Sequence, residues 1–375
     1  MILTDARVWN GTEFVTQDIN IGDNGMIADY SSGDTVDMSS FSIIPGFADT
    51  HIHGCFGSDV SDGDAAAVCD MAYKLAYKGV TAFCPTTMTV SEETVMNAFE
   101  AVARAKEMLE ASDIPHARIL GVHLEGPFLS SSKAGVQGLQ YLKTPKQGID
   151  LVERIDSLYP GLLKIIDLAP ELDGGLEFIE RFKDRFILSA AHTDCDYETA
   201  VSAFDKGLHS VTHVLNATTP IDKRAPGIAC AAMDRDAYVE VICDGIHIQP
   251  PVLRMVYKMF GHDRIVVISD SMRGSGMPDG DYYLGDVKIT CKGGRTYFGQ
   301  NGNLAGSVTD MYSEFLTLTG IGIPFDAVLN SMTVNPYRRL NMEGGSITPG
   351  YPADLIVLDG CKIIAVFCCG RQLTI

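Results

Sequence analysis

From residue 42 onward the chain alternates short apolar runs with longer segments of helical character. The runs are 42–49, 79–85, 117–124, 162–168, 186–191, 209–213, 238–243 and 264–269. Their length and apolar character predict buried strands. Segments such as 65–78 and 92–109 lie between them and predict helices. Strands alternating with helices imply parallel βαβ units. Eight repeats over this length fit a (β/α)8 barrel better than an open sheet.

The two ends of the chain follow another pattern. Residues 2–8, 13–21 and 26–30 are short strand-like runs separated by turn material such as Asn10-Gly11 and Asp23-Asn24-Gly25. Residues 354–358, 362–367 and 371–375 are strand-like again, so the termini are expected to pair into one small β-domain. The predicted division is 1–44 with 341–375 for that domain and 45–340 for the barrel. A Gly- and Tyr-rich β-hairpin is predicted near 280–302, followed by helices at 307–319 and 324–340.

Composition adds limits. A chain of 375 residues can hold one large domain and a small one, and 46% hydrophobic residues is ordinary for a globular chain. No apolar run reaches membrane-span length. The N-terminus carries no basic segment leading into an apolar core and cleavage site. Ten cysteines with no Cys-x-x-Cys pair read as reduced thiols, which predicts a cytoplasmic protein. A formal net charge of −19 argues against nucleic acid and anionic membrane as partners. An anionic substrate then needs a local basic group.

The chemistry gathers at strand ends. Side chains at i and i+2 of a strand share a face, so His51 and His53 aim two imidazoles at one point. An isolated His-x-His is more often two satisfied core histidines. Here the third run ends in His123-Leu124-Glu125, the fifth in His192, the sixth in His213 and the eighth in Asp270. In such barrels the active site lies at the C-terminal ends of the strands, and every one of these residues falls at that rim. Four imidazoles and two carboxylates can hold two divalent ions, which activate water and polarise a bond to be cleaved. Glu125 is the expected bridge, and Asp270 the expected general base. Zinc, iron, manganese or cobalt suits these donors alike.

The motifs P-G-F-A-D-T-H-I-H (45–53), H-L-E-G-P-F (123–128), T-H-V-L-N-A (212–217), D-G-I-H (244–247), I-S-D-S-M (268–272) and N-L-A-G-S (303–307) together resemble the amidohydrolase superfamily. Within it they resemble the N-acetylglucosamine-6-phosphate deacetylase family, end to end. The resemblance implies a (β/α)8 barrel carrying a small β-sandwich built from both termini, usually as a homodimer. It implies hydrolysis of the acetamide of N-acetylglucosamine 6-phosphate to glucosamine 6-phosphate and acetate. It makes Glu125, His192 and His213 metal ligands and Asp270 the catalytic acid/base, with His51 and His53 marking the two-metal kind. Substrate contacts are implied at Val136, Gln137, Asn216, Ala217, His247, Leu304, Ala305 and Gly306. Arg224 is implied to reach the phosphate in the neighbouring subunit's site.

Two departures bear on the sugar more than on the reaction. Lys133-Ala134-Gly135-Val136-Gln137 stands where the family usually has Lys-Gly-Ala-His, so Gln137 replaces a histidine. Asn216-Ala217-Thr218-Thr219 replaces Asn-Ala-Met. The rival expectations are deacetylation of N-acetylgalactosamine 6-phosphate, another amidohydrolase reaction, or a non-catalytic barrel. Loss of ligands would mark the last, and none is lost.

Overall fold

The computed structural model describes residues 1–299 and 302–375. Eight parallel strands follow one another in chain order. They are β1 (Phe47–Ile52), β2 (Val80–Thr87), β3 (Val122–Phe128), β4 (Leu163–Leu168), β5 (Ile187–Ala190), β6 (Ser210–Val211), β7 (Tyr238–Val241) and β8 (Ile265–Val267). Each pairs with the next, from β1 through β8. Among the described residues no ladder joins β8 back to β1. The seam closes just beyond β8 instead. Asp270 N–H donates to His51 O and His53 N–H donates to Ser271 O, each at 2.9 Å. The Asp49 carboxylate adds to this by accepting from Ser269 Oγ at 2.5 Å.

Helices α1 (Ala65–Ala76), α2 (Glu92–Glu110), α3 (Pro145–Leu158), α4 (Gly175–Phe182), α5 (Tyr197–Lys206), α6 (Gly227–Asp234) and α7 (Pro250–Phe260) connect the strands. Local chemistry sets where several of them start. Ser91 caps α2, Asp196 caps α5, and Thr144 forms a capping box with Gln147 ahead of α3. After β8 come three antiparallel strands at Gly280–Leu284, Val287–Lys292 and Arg295–Tyr297. The predicted hairpin region extends over Gln300 and Asn301, which lie outside the described residues. Helices α8 (Met311–Gly320), α9 (Phe325–Met332) and α10 (Val334–Arg339) follow.

Two expectations shift in detail. The strand expected at 117–124 divides into Arg118–Ile119 and β3, which runs on to Phe128. Gly121 causes the division: its φ is +155°, and a Cβ there would meet Lys164 Cγ at 2.1 Å. The helix expected over 324–340 breaks at Thr333 into α9 and α10. Pro336 explains this, since its ring excludes the carbonyl of Met332 from a continuing helix.

The termini form one eight-stranded sheet. Its order is Arg371–Thr374, Lys362–Cys368, Leu355–Asp359, Ser42–Pro45, Ile2–Trp9, Phe14–Ile21 and Ile27–Ala28, with Thr35–Asp37 also paired to Ile2–Trp9. Strand alternation divides its side chains between two cores. Leu3, Val8, Ile43, Leu355, Val357 and Phe367 pack together inside the sheet's own core. Ile44, Ile356, Leu358 and Val366 face the other way and join the core of the barrel. The sheet is therefore anchored to the barrel by every second residue of its central strands.

Inside the barrel, residues two apart stack in layers. Ala48, Ala82, Cys84, Ile165 and Ile187 form an apolar floor with Tyr337 and Leu340 of the α10 region. One step along the strands, Thr50, Asp167, Ser189, Ser210 and Glu240 make the next layer polar and fully buried. The ligand residues follow this layer toward the C-terminal ends of the strands, His51 directly after Thr50 and against Glu240.

Candidate active site

His51, His53, Glu125, His192, His213 and Asp270 converge at the C-terminal rim, and all are buried. Their donor atoms form two groups, each within 4.8 Å: His51, His53 and Asp270 in one, and Glu125, His192 and His213 in the other. Glu125 joins them. Its Oε1 lies 3.1 Å from both His192 Nε2 and His213 Nε2, and its Oε2 lies 3.3 Å from His53 Nε2. Asp270 Oδ1 is 3.3 Å from His53 Nε2 and 3.6 Å from His51 Nε2.

The donor set fits divalent metal, and the reason is in the ring nitrogens facing away from the centre. His53 Nδ1 is 3.2 Å from Thr86 O, His192 Nδ1 2.8 Å from Lys133 O, and His213 Nδ1 3.2 Å from Asn216 O. A carbonyl only accepts, so each Nδ1 carries the proton. His51 Nδ1 faces the Glu240 carboxylate at 3.3 Å and is fixed in the same way. In the neutral rings all four Nε2 lone pairs then point inward, and the Nε2 atoms of His51 and His53 stand 3.3 Å apart. Facing lone pairs repel unless a cation lies between them. This outer hydrogen bonding is what metal-binding histidines need.

Burial alone would raise the Glu125 carboxyl, but hydrogen bonds to His192, His213 and His53 outweigh it and hold the group well below the carboxylate range. Burial would lower His213, yet its contact with Glu125 raises it to about 9. A divalent ion at Nε2 would take the place of that added proton and use the lone pair it occupies. Asp270 is likewise pushed up by burial and brought below its usual value by His53, with His51 and His213 adding to the effect.

Three of the six residues sit in left-handed backbone without being glycine: His192 (φ +43°), His213 (φ +32°) and Asp270 (φ +47°). Such positions cost about 1–3 kcal/mol each and persist where the surroundings enforce them. Here the turn lifts each side chain from its strand end onto the rim.

A cavity opens over the two groups, with about 660 Å³ of free space including its mouth. Val136, Gln137, Asn216, Ala217, His247, Leu304, Ala305 and Gly306 all line it, beside His53, Glu125, His192, His213 and Asp270. His51 lies beneath, fully buried. Asn216 Nδ2 is a buried donor with no partner among the described residues. His247 is aimed by Asp244, whose Oδ2 is 2.7 Å from His247 Nδ1. Gln137 occupies both ends of its amide. Thr89 N–H donates to Oε1 at 2.8 Å, and Nε2 donates to Glu125 Oε2 at 2.7 Å. Gly126, at φ +83°, lets Thr89 approach: a Cβ would stand 2.0 Å from Thr89 Oγ1.

Arg224 is not brought into this cavity. It sits on the exposed 220–225 segment, its N–H held by Asp222 Oδ1 at 2.8 Å. Arg273, also near in sequence, is taken by Asp62 (2.8 Å) and Asp59 (3.4 Å). Among the described residues no Lys or Arg lines the cavity. His123, a candidate ligand by position, points below the site, with Nδ1 3.0 Å from Thr50 O and Nε2 3.0 Å from Asp167 Oδ2. Sequence reasoning missed Asp244, Glu240 and Arg339. Only Asp244 left a signal, three residues ahead of a candidate histidine.

A barrel with histidine and carboxylate donors at its C-terminal rim is the architecture of metal-dependent hydrolases, and the chain belongs to the amidohydrolase family, whose sequence pattern matches residues 42–373. It is 33% identical over 340 residues to the N-acetylglucosamine-6-phosphate deacetylase of Bacillus subtilis, covering 88% of this chain and 84% of that one. It is 31% identical over 327 residues to the N-acetylgalactosamine-6-phosphate deacetylase of Escherichia coli, covering 84% and 83%. The crystal structure of N-acetyl-D-glucosamine-6-phosphate deacetylase from Mycobacterium smegmatis is similar throughout, with a TM-score of 0.90 at 27% identity and all of both chains covered. A mutant of that enzyme in complex with N-acetyl-D-glucosamine-6-phosphate gives 0.91 at 27% identity, over 100% of this chain and 99% of that one.

Proposed function

We propose that this enzyme hydrolyses the acetamide of N-acetyl-D-glucosamine 6-phosphate to D-glucosamine 6-phosphate and acetate, in amino-sugar catabolism. The observation that carries the chemistry is the inward convergence of four Nε2 lone pairs on Glu125 and Asp270. The likeness to deacetylases of amino-sugar 6-phosphates supports the substrate.

His51, His53 and Asp270 would hold one divalent ion and Glu125, His192 and His213 a second. Such ions would supply a water of lowered pKa and polarisation of the acyl carbonyl. Asp270 accepts the attacking water's proton and returns it to the departing amine. His247, oriented by Asp244, can donate toward the acyl oxygen as charge develops on it. Asn216 offers its free amide donor to the sugar phosphate, while Val136, Ala217, Leu304, Ala305 and Gly306 shape the pocket around the sugar. Gln137 reaches the same wall.

We infer a cytoplasmic homodimer in which Arg224 reaches the partner's site. Its exposure and the absence of Lys or Arg from the lining support this, because a phosphomonoester near a chain of net charge −19 needs a cation. No helix among the described residues is long and apolar enough to cross a membrane.

The test measures acetate release from N-acetylglucosamine 6-phosphate, N-acetylgalactosamine 6-phosphate and unphosphorylated N-acetylglucosamine. The glucosamine phosphate is expected to have the highest kcat/KM; a higher value for the galactosamine phosphate would reassign the sugar. Arg224→Ala is expected to raise KM for the phosphorylated sugar by about 30- to 150-fold, the equivalent of about 2–3 kcal/mol for a lost charged hydrogen bond. The unphosphorylated sugar should be unaffected. Mixed dimers of Arg224→Ala and Asp270→Asn chains should recover activity, since one hybrid site has both residues. Equal losses on both substrates would make Arg224 structural, and mixed dimers without recovery would return it to its own subunit's site.

A further inference from the structure

Three of the four rim histidines have Nδ1 fixed by a backbone carbonyl, which the fold supplies whatever the side chains are. His51 is the exception. Its Nδ1 depends on Glu240 Oε2, 3.3 Å away on β7. Glu240 is fully buried and itself needs a partner. That partner is Arg339, the last residue of α10, 99 residues further along the chain. Arg339 is also fully buried, among the largest side chains in the molecule with no exposure. It reaches up through the barrel to Glu240 Oε1, with Ser210 Oγ at 3.1 Å and Thr50 Oγ1 at 3.4 Å.

We propose that Glu240 and Arg339 are a positioning pair that sets the tautomer and aim of His51, and so tune metal binding at the His51, His53 and Asp270 group from the opposite end of the barrel. The proposal rests on the reading of His51 as a metal ligand. Neither residue lines the cavity, so neither can touch substrate. A purely stabilising role is poorly served by this arrangement. A buried ion pair seldom outdoes apolar residues of similar volume, and the layer directly below is apolar. What an apolar pair could not do is accept the His51 Nδ1 proton. The carboxylate keeps that proton on Nδ1, leaving Nε2 as a lone pair facing the rim. The guanidinium forks between Glu240 and Ser210, which fixes where the carboxylate sits.

The test is metal binding by the full chain, read with Co(II) by titration and visible absorption. The variant Glu240→Leu with Arg339→Met removes both charges and the acceptor together, so no charge is left buried alone. Co(II) affinity at the His51 group should fall about 10- to 100-fold, the usual effect of losing such a partner. Affinity at the Glu125, His192 and His213 group should stay as in the parent. Glu240→Gln with Arg339→Met restores an uncharged acceptor and should recover most of the loss. Should the first pair fail to fold, Arg339→Lys decides: it cannot fork, and a selective loss of about threefold or more is expected at the same group.

Native affinity and a native Co(II) spectrum at both groups, in whichever variant folds, would overturn the proposal. So would equal weakening at both groups, which marks a general structural effect. His51→Ala separates this from failure of the underlying reading. If the parent binds one Co(II) and His51→Ala leaves that unchanged, His51 is no ligand and both ideas fall. If His51→Ala removes one ion but the pair variants do not weaken it, only the positioning role falls.

Discussion

Asp270→Asn is expected to lower kcat by about 10²- to 10⁴-fold while metal stays bound, the range for losing a general base. That corresponds to about 3–5 kcal/mol of transition-state stabilisation at 1.36 kcal/mol per decade. The substitution keeps the shape of the side chain. It also keeps an oxygen that can lie near His51 and His53, while Glu125, His192 and His213 are untouched. What it removes is a carboxylate held ionised: burial pushes Asp270 up, but His53, His51 and His213 bring it below its usual value. An amide has no lone pair basic enough to take a proton from water. KM should change little, since uniform binding is not what is lost. The measurement is steady-state kinetics beside elemental analysis of the same sample. Near-parental kcat with full metal content would remove Asp270 from the base role, and loss of metal alongside activity would make it chiefly a ligand.

Glu125→Gln is expected to lower activity by at least as large a factor, through a different route. Glu125 alone touches both donor groups: Oε1 is 3.1 Å from His192 and His213, and Oε2 is 3.3 Å from His53. Replacing its negative charge with an amide removes the only carboxylate paired with His192 and His213 among the described residues. The amide also meets Gln137 Nε2, now 2.7 Å from an oxygen, with either an NH2 group opposed to it or a weaker acceptor. Metal content of the reconstituted protein should drop from about two ions per chain to below one. Activity should not return at high metal concentration to more than about a hundredth of the parent. Retention of two ions would show that the bridge is dispensable, and the grouping of ligands around Glu125 would have to be redrawn.

Much of this site is legible in the sequence, for physical reasons that can be named. Period-two alternation puts His51 and His53 together, and the rule that barrel sites lie at strand ends collects Glu125, His192, His213 and Asp270. The turns that deliver three of them are not legible. Left-handed backbone at His192, His213 and Asp270 has no glycine to announce it. The support behind His51 is hidden for another reason: Glu240 stands in an apolar strand, and Arg339 is an ordinary-looking residue at a helix end. Only closure of the barrel brings them together. The eightfold rhythm of strand and helix gives the barrel, while local breaks at Gly121 and Thr333 follow from single residues that a periodic reading averages over.

The seam between the first and last strands carries one more consequence. It joins residues as much as 220 positions apart: His53 and Gly54 N–H donate to Ser271 O, Asp270 N–H donates to His51 O, Ser269 donates to the Asp49 carboxylate, and Ser271 Oγ donates to Gly54 O. His51 and His53 stand on one side of it and Asp270 on the other. An ion shared by those three would therefore be a cross-link, a reversible clasp added to the hydrogen bonds that fasten the ring at that point. Loading it reports that the ring has closed in register, because a slip of one residue would turn the imidazoles away. Without it, the ring should breathe first at the clasp. The amides of His53 and Asp270 should then exchange with solvent deuterium sooner in metal-free protein, while those of β3 to β5 keep their protection.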